Sequence, residues 1–173
     1  MNTREQNARF GEWLKAHGAM LHHVANGFAD GADRHDLMQE LLLAVWRAVP
    51  AFRGGAQPST FIYRVAHNAA LTWKRTVNNH RRRIDRFEAF TALDTPRDAG
   101  RSGRDGELLE LLYAQIRQLP PVGRSLMLLH LDGVSYAEIA AIHGLTESNA
   151  GARLTRLKQK LSAAMKEVTL ELR

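Results

Sequence analysis

The sequence of 173 residues contains no cysteine, which excludes disulfides, thiol catalysis and zinc or iron–sulfur sites held by cysteine. No run of residues approaches the roughly 20 apolar residues that a membrane-spanning helix needs. The N-terminal residues are polar where a signal peptide would carry its apolar core. The sequence therefore predicts a soluble, cytoplasmic protein without a membrane span.

Segments with the two-residue period of β-strands are also missing, and apolar residues recur at helical spacing instead. A first helical pattern runs through Phe10, Trp13, Leu14, Leu21, Val24 and Phe28. A second helix is predicted to begin near Asp33 or Arg34 and to stop at Pro50, and Ser59 is predicted to cap a third. Hydrophobic residues make up 45% of the chain, enough for buried cores. These patterns predict an all-α protein.

Residues 86–106 interrupt the helical pattern with several turn-forming pairs that contain proline or glycine, and they have almost no apolar periodicity after Leu93. Helix is predicted to resume at Glu107 and to run to Leu119, with a short helix following from Val122 to Leu131. We therefore predict two small helical domains, residues 1–85 and 107–173, joined by a flexible linker.

The charge is unevenly distributed along the chain, whose net charge is +6. Residues 64–86 contain seven Lys or Arg and one acid, and residues 145–173 contain six basic residues and three acids. The stretch between 87 and 112 has six acids against three arginines. Two separated cationic blocks favour two contact surfaces on one long anion, such as a nucleic acid.

The clearest motif lies near the C-terminus and is typical of a helix-turn-helix. Ser135 and Glu138 have the spacing of a capping box, and Gly144 stands where a helix of this kind ends. A second helix is predicted to begin at Glu147 and to turn its outer face toward the major groove and phosphates of DNA. The residues expected on that face are Ser148, Asn149, Ala152, Arg153, Arg156 and Lys160.

Two groups of segments, in order along the chain, resemble bacterial RNA polymerase sigma factors of the extracytoplasmic-function (ECF) type. The segments that resemble region two are 36–40 (Asp-Leu-Met-Gln-Glu), 45–48 (Val-Trp-Arg-Ala), 52–54 (Phe-Arg-Gly) and 60–70. Those that resemble region four are 118–124 and 133–140. The resemblance implies a sigma factor that binds core polymerase, recognises promoters, melts DNA and initiates transcription.

The resemblance also implies roles for residues and partners. Residues expected to bind core polymerase are Asp36, Leu37, Gln39, Glu40, Trp46 and Arg47. Residues expected at the minus-ten element are Arg53, Arg64, His67, Asn68, Lys74 and Arg75, several of which form a cationic face at three- and four-residue steps. The outer face of the last helix is expected to read the minus-thirty-five element. The implied partners are the clamp of the largest polymerase subunit, the beta flap, promoter DNA and, as in many relatives, an anti-sigma factor.

One position departs from the family, because Gly151 stands where members usually carry Lys or Arg. We expect this glycine to remove a base-reading side chain from the recognition helix.

Trp46 is compatible with either a core position or an exposed interface position. The linker is compatible either with a simple tether or with an acidic segment that occupies a nucleic-acid channel.

Two other classes of function remain open from the sequence. His35 and Asp36 are adjacent, as in metal phosphohydrolases, although the sequence has no His-Glu-x-x-His motif. A regulator that binds operator DNA without polymerase would use the helix-turn-helix but leaves the first 80 residues unexplained. The sigma-factor interpretation implies no enzymatic activity, metal or cofactor.

Overall fold

A computed structural model describes the backbone of residues 2–88 and 104–171, and the side chains of 2–79 and 106–167. The helices of these parts are α1 (Thr3–Phe28), α2 (Gly31–Ala48), α3 (Pro58–Glu88), α4 (Arg104–Arg117), α5 (Pro121–Leu131), α6 (Tyr136–His143) and α7 (Glu147–Glu171). A short 3-10 turn, Val49–Ala51, follows α2. In the described residues we find no helix with the length and apolar character needed to cross a bilayer.

Helix boundaries differ from the predictions at several places. α2 begins at Gly31, ahead of the predicted Asp33 or Arg34, because Gly31 adopts a positive φ of 50° that turns the chain directly out of α1. α3 begins at Pro58, so Ser59 lies in its first turn and is not the cap. Proline suits the first helical position because the amide N–H that it lacks would have no partner within the helix.

The third difference concerns the ends of the predicted linker. α3 continues to Glu88 and α4 begins at Arg104, so the helices extend into the linker from both sides. α4 ends at Arg117, two residues before the predicted end. Residues 89–103, on which the prediction of a flexible linker mainly falls, lie outside the described residues.

The first bundle packs α1, α2 and α3 around an apolar core that includes Leu21, Val24, Leu37, Leu41, Val45, Ile62 and Ala66. Three aromatic rings at one end of this core fix the loop before α3. Trp13 lies 5.3 Å from Phe52 and 5.9 Å from Phe61 between ring centroids, and Phe52 lies 5.2 Å from Phe61. This cluster holds the loop at residues 53–57 beside the start of α3.

The second bundle is formed by α4 to α7, with Ile116, Leu126, Leu129, Ile139 and Leu154 fully buried. The capping box of α6 is present as predicted, since Ser135 Oγ accepts from the Glu138 N–H and Glu138 Oε2 accepts from the Ser135 N–H. Gly144 ends α6 at φ 64° and ψ 34°, the left-handed conformation that favours glycine.

The two bundles also pack against each other. α1 of the first bundle contacts α4 and α5, and α3 contacts α6. At Gly27 of α1 an added Cβ atom would lie 2.6 Å from Cδ1 of Leu128 in α5. Any residue with a side chain at this position would require the end of the Leu128 side chain to shift.

Candidate nucleic-acid interface

The outer face of α2 carries most of the residues expected to bind polymerase. Asp36, Glu40 and Arg47 are exposed at helical spacing on this face, and Gln39 is exposed beside them. Leu37 is fully buried in the first bundle, so the predicted contact of its side chain with a partner is wrong for this structure. It shares the inward stripe with Leu41, as its four-residue spacing requires.

Leu43 belongs to the same outer face and was missed by the sequence analysis. Its side chain is 38% exposed, and it lies seven residues after Asp36 and four before Arg47. A single exposed leucine is ordinary on a protein surface, but the position of Leu43 among the charged residues of this face makes it available to a partner. The helical spacing from Asp36 was the signal that could have identified it.

Trp46 lies at the edge of this face and is partly exposed. Its indole N–H donates to Asn7 Oδ1 at 2.8 Å, and Gln6 Nε2 donates to its backbone oxygen at 2.8 Å. The hydrogen bond to Asn7 in α1 therefore holds the indole ring in one orientation. Of the two alternatives left by the sequence, the structure does not place Trp46 in the core, and its contact with a partner stays a prediction.

The cationic face of α3 is present in part. Arg64, Asn68 and Arg75 are exposed along one side of the helix, and Lys74 is partly exposed. Arg53 is exposed in the preceding loop. These residues leave the positive charge of α3 accessible to a phosphate backbone.

His67 does not lie on that exposed face, so the expectation for this residue is wrong. It is 8% exposed, because the second bundle covers the side of α3 on which it lies. Its ring stacks on Tyr63 at 6.0 Å and meets Phe28 at 5.6 Å and His143 at 5.7 Å between centroids. Burial, aided by the nearby His143 and Arg124, lowers the pKa of His67 to about 4, so the ring is neutral at pH 7.

A groove of about 590 Å³ separates α2 from α3 and connects the two faces. Its lining is formed by Glu40, Ala44, Val65, Asn68, Ala69, Thr72, Trp73 and Thr76. Asn68 and Glu40 place hydrogen-bonding groups beside the apolar wall that Trp73 and Val65 provide. A flat, partly apolar molecule with polar edges has the shape and chemistry that such a groove can accept.

The helix-turn-helix in the second bundle presents one uninterrupted outer surface on α7. All six residues predicted there are exposed: Ser148, Asn149, Ala152, Arg153, Arg156 and Lys160. Arg153 Nε donates to Asn149 Oδ1 at 3.0 Å, which keeps the guanidinium close to the helix. Thr146 Oγ1 accepts from the Asn149 N–H at 3.2 Å and so caps the start of α7, a role that the sequence analysis missed.

Gly151 does not lie on the outer surface of α7. A Cβ atom at this position would meet Cδ2 of Tyr136 at 3.4 Å, so a side chain here would point at α6. The expectation that Gly151 removes a base-reading side chain stays a prediction. The outer surface keeps both of its arginines, Arg153 and Arg156.

Replacing Gly151 by alanine is expected to raise the free energy of unfolding by about 0.5–1 kcal/mol, because alanine favours the interior of a helix over glycine. The 3.4 Å approach to Tyr136 is an ordinary van der Waals contact and needs no rearrangement. Urea denaturation followed by circular dichroism measures the change. Gly18→Ala in α1, where no atom lies within 4 Å, is the matched control. A loss of stability in Gly151→Ala alone would contradict the packing described here.

The fold and this site define an all-helical protein with a DNA-binding helix-turn-helix and a second helical module. Comparison with known families identifies the modules. Sigma-70 region 2 matches residues 13–87 and Sigma-70 region 4 matches residues 109–161, together about three quarters of the chain. Their order along the chain is the order predicted from the sequence.

Curated relatives of similar length support the same family. The chain is 29% identical to the RNA polymerase sigma factor CarQ of Myxococcus xanthus, with 86% of this chain and 83% of CarQ covered. It is 28% identical to the ECF RNA polymerase sigma-E factor of Escherichia coli strain K12, with 80% and 76% covered. The chain belongs to the ECF sigma factors of bacterial RNA polymerase, and its function is promoter recognition in transcription initiation.

Two solved structures share the fold at 21% sequence identity. One is the sigma factor RpoE in complex with the anti-sigma factor NepR from Bartonella quintana, with a TM-score of 0.66 over 91% of this chain and 97% of that chain. The other is CnrH in complex with the cytosolic domain of CnrY, with a TM-score of 0.65 over 93% and 90%. The likeness extends over both modules and confirms the all-α fold.

Proposed function

We propose that the three exposed surfaces divide the work of a sigma factor among them. The outer face of α2 binds core RNA polymerase, α3 and the loop at 53–57 engage the minus-ten element, and α7 engages the minus-thirty-five element. In this assignment residues 1–85 form the region-two domain, 107–173 form the region-four domain, and 86–106 connect them. The observation that carries the proposal is that each surface is exposed on a separate helix of the matched family modules.

The composition of the α2 face supports polymerase binding. Charged residues of both signs surround Leu43, and Trp46 is held at the edge by α1. Binding energy in protein interfaces concentrates in aromatic and Arg residues that polar neighbours surround. Trp46 and Arg47 are residues of this kind, and we assign the largest share of binding to them and to Leu43.

The arrangement of α3 supports a role in opening DNA. Arg64, Lys74 and Arg75 supply positive charge for the phosphates of a separated strand. Asn68 lines the groove between α2 and α3 beside this charged surface, and we assign the capture of a single unstacked base to that place. Capture of such a base offsets the few kcal/mol that unstacking requires.

The α7 surface supports duplex recognition, since a helix-turn-helix places its second helix in the major groove. Arg153 and Arg156 are the residues that we assign to contacts with phosphates or base edges. Lys160 extends the same positive surface by one turn.

Membership of the family also bears on whether the chain has catalytic activity. Sigma factors are transcription regulators, and we propose that this chain has no catalytic activity of its own. Among the described residues, no three His, Asp or Glu side chains are grouped to hold a metal ion.

We also propose a cytoplasmic location, with the polymerase. We further propose binding to an anti-sigma factor, because both structural neighbours were solved as complexes and one of those partners is an anti-sigma factor.

Reconstituted transcription tests the proposal directly. We expect core polymerase to start at discrete promoters of a genomic template library only when this protein is added. Start sites that are identical with and without it would refute the function. A regulator that binds operators alone would instead bind duplex DNA tightly without polymerase, and mobility shifts with each component separately distinguish the two.

Replacing Asn68 by alanine is expected to reduce promoter opening about 5- to 150-fold, because the loss of polar contacts to a captured base costs roughly 1–3 kcal/mol. Permanganate reactivity of the melted region measures opening, and binding of core polymerase is expected to stay unchanged. Asn79→Ala is the matched control, since Asn79 is exposed on the same side of α3 about 16 Å along the helix. Equal opening by both variants would contradict the role of Asn68.

A further inference from the structure

Asn149 lies in the first turn of α7, and both its backbone and its side chain are hydrogen-bonded. Its N–H donates to Thr146 Oγ1 at 3.2 Å, which ties the residue to the cap of the helix. Its side-chain Oδ1 accepts from Nε of Arg153 at 3.0 Å, one turn farther along. Both residues are exposed on the outer surface of α7. The cap of this helix is therefore connected through Asn149 to the guanidinium of Arg153.

This hydrogen bond determines which part of the Arg153 guanidinium remains available to DNA. A guanidinium has five N–H donors in one plane, one on Nε and four on the two terminal nitrogens. Because Nε is paired with Asn149, the terminal nitrogens form an end-on fork of donors. Such a fork matches a group that presents two acceptors side by side in one plane.

The position of Arg153 along α7 favours a base as that group. Guanine presents two neighbouring acceptors in the major groove, N7 and O6, and arginine commonly binds both. A helix-turn-helix contacts base edges with the N-terminal residues of its second helix. Arg153 is about 9 Å from the start of α7, whereas Lys160 is about 20 Å from it. Donor geometry and position both indicate guanine.

Arg156 is held in a different way. Its Nε donates to the backbone oxygen of Ala152 at 3.4 Å, a longer and weaker contact than that of Arg153. It also lies three residues farther from the end of α7 that contacts base edges. A phosphate, which accepts from a guanidinium in many orientations, suits this residue better than a base does.

We propose that Asn149 is a positioning residue that orients Arg153 to read one guanine of the minus-thirty-five element, while Arg156 binds a phosphate. This inference rests on the proposed function and deepens it, since it separates the residue that specifies sequence from the one that supplies affinity. A guanidinium that is held in place before binding loses less conformational entropy at the base. Released from Asn149, it can reach a phosphate instead, which every sequence offers, so the preference for guanine falls.

Discrimination between DNA probes tests the role of Arg153. Core polymerase with this protein bound first selects its sequence from duplexes randomised over the minus-thirty-five element, and each selected base pair is then replaced in turn. Fluorescence anisotropy gives the ratio of affinities. We expect Arg153→Ala to remove a preference of about 5- to 150-fold at a single guanine, the range of a bidentate contact. A selected element in which no guanine depends on Arg153 would overturn the inference.

Two substitutions of Asn149 test the positioning. Asn149→Leu removes the acceptor but keeps the size of the side chain, and we expect it to lower the preference at the same guanine about two- to tenfold. Asn149→Asp keeps an acceptor for Arg153 and should retain the preference. The charge that it adds weakens binding to all probes alike, so the ratio of affinities is unaffected.

A double-mutant cycle distinguishes positioning from direct reading. Combined with Arg153→Ala, Asn149→Leu should cause no further loss of discrimination, because its effect acts through the arginine. Additive losses, or a loss at a different base pair, would show that Asn149 reads DNA by itself and would overturn the inference.

Two further variants are controls. Thr146→Ala removes the cap of α7 but leaves the Asn149 acceptor in place, and we expect it to retain the preference for guanine. A loss equal to that of Asn149→Leu would assign the effect to helix stability and contradict positioning. Arg156→Ala should weaken binding to all probes and lower the slope of log K against log salt concentration by about one. A base preference that depends on Arg156 would overturn the division between the two arginines.

The failure of this inference is distinguishable from the failure of the proposed function. Promoter-specific initiation by the wild type, with unchanged discrimination in Asn149→Leu, would overturn the role of Asn149 and leave the function intact. A polymerase complex that selects no sequence at the minus-thirty-five element would refute both.

Discussion

Replacing Leu43 by aspartate is expected to weaken binding to core polymerase by about 10- to 100-fold, equivalent to roughly 1.4–2.8 kcal/mol. Leu43 is the exposed apolar residue on a charged face, between Glu40 and Arg47 along the helix. In the complex, an aspartate here would lose the apolar contact and bury a carboxylate. It would also add a second negative charge close to Glu40, which disfavours burial further.

The measurement is a titration of labelled core polymerase with each variant. Leu43→Ala separates the loss of apolar contact from the effect of the added charge, and we expect it to weaken binding less. Ala19→Asp adds the same charge to an exposed position of α1 and should have no effect. Circular dichroism is expected to show an unchanged fold, because neither side chain belongs to the core. Full affinity of Leu43→Asp, or an equal loss in Ala19→Asp, would exclude Leu43 from the interface.

Loss of both Arg153 and Arg156 is expected to weaken holoenzyme binding to a minus-thirty-five probe by roughly 30-fold or more, since each arginine contact with DNA contributes about 1–3 kcal/mol. The two residues lie three apart on the outer surface of α7, and nothing in the second bundle covers them. If both arginines bind the DNA backbone, the slope of log K against log salt concentration should become smaller by about two in the double alanine variant.

Fluorescence anisotropy at several salt concentrations measures both quantities. Lys166→Ala removes one positive charge from the same helix about 15 Å beyond Arg156, and it serves as the charge control. We expect the affinity of that variant to change little. A double variant with the affinity and salt slope of the wild type would show that α7 does not contact the minus-thirty-five element.

The helix-turn-helix was predictable because its signals are local. The capping box needs only Ser135 and Glu138, and the turn needs a residue such as Gly144 that tolerates a positive φ. The outward residues of α7 follow from one helical repeat once the start of the helix is known. For the same reason Leu43 could have been found, since its spacing from Asp36 and Arg47 is fixed by the geometry of α2.

Features that depend on the packing of distant segments were not predictable in this way. His67 shares helical spacing with exposed neighbours, and only the approach of His143, 76 residues later in the chain, places it in the interior. The orientation of Gly151 depends on where the Tyr136 ring lies in the folded domain. Neither contact leaves a periodic signal in a single sequence, because each joins elements whose relative placement is set by the tertiary structure.

The two bundles pack against each other through polar groups as well as through Leu128 at Gly27. The Tyr63 hydroxyl donates to the backbone oxygen of Ser125 at 3.0 Å, and the Ser125 hydroxyl lies 2.9 Å from Nε2 of His143. Hydrogen bonds depend on direction, whereas apolar contact does not. These bonds therefore fix the rotation of one bundle on the other, which apolar packing alone would leave less well determined.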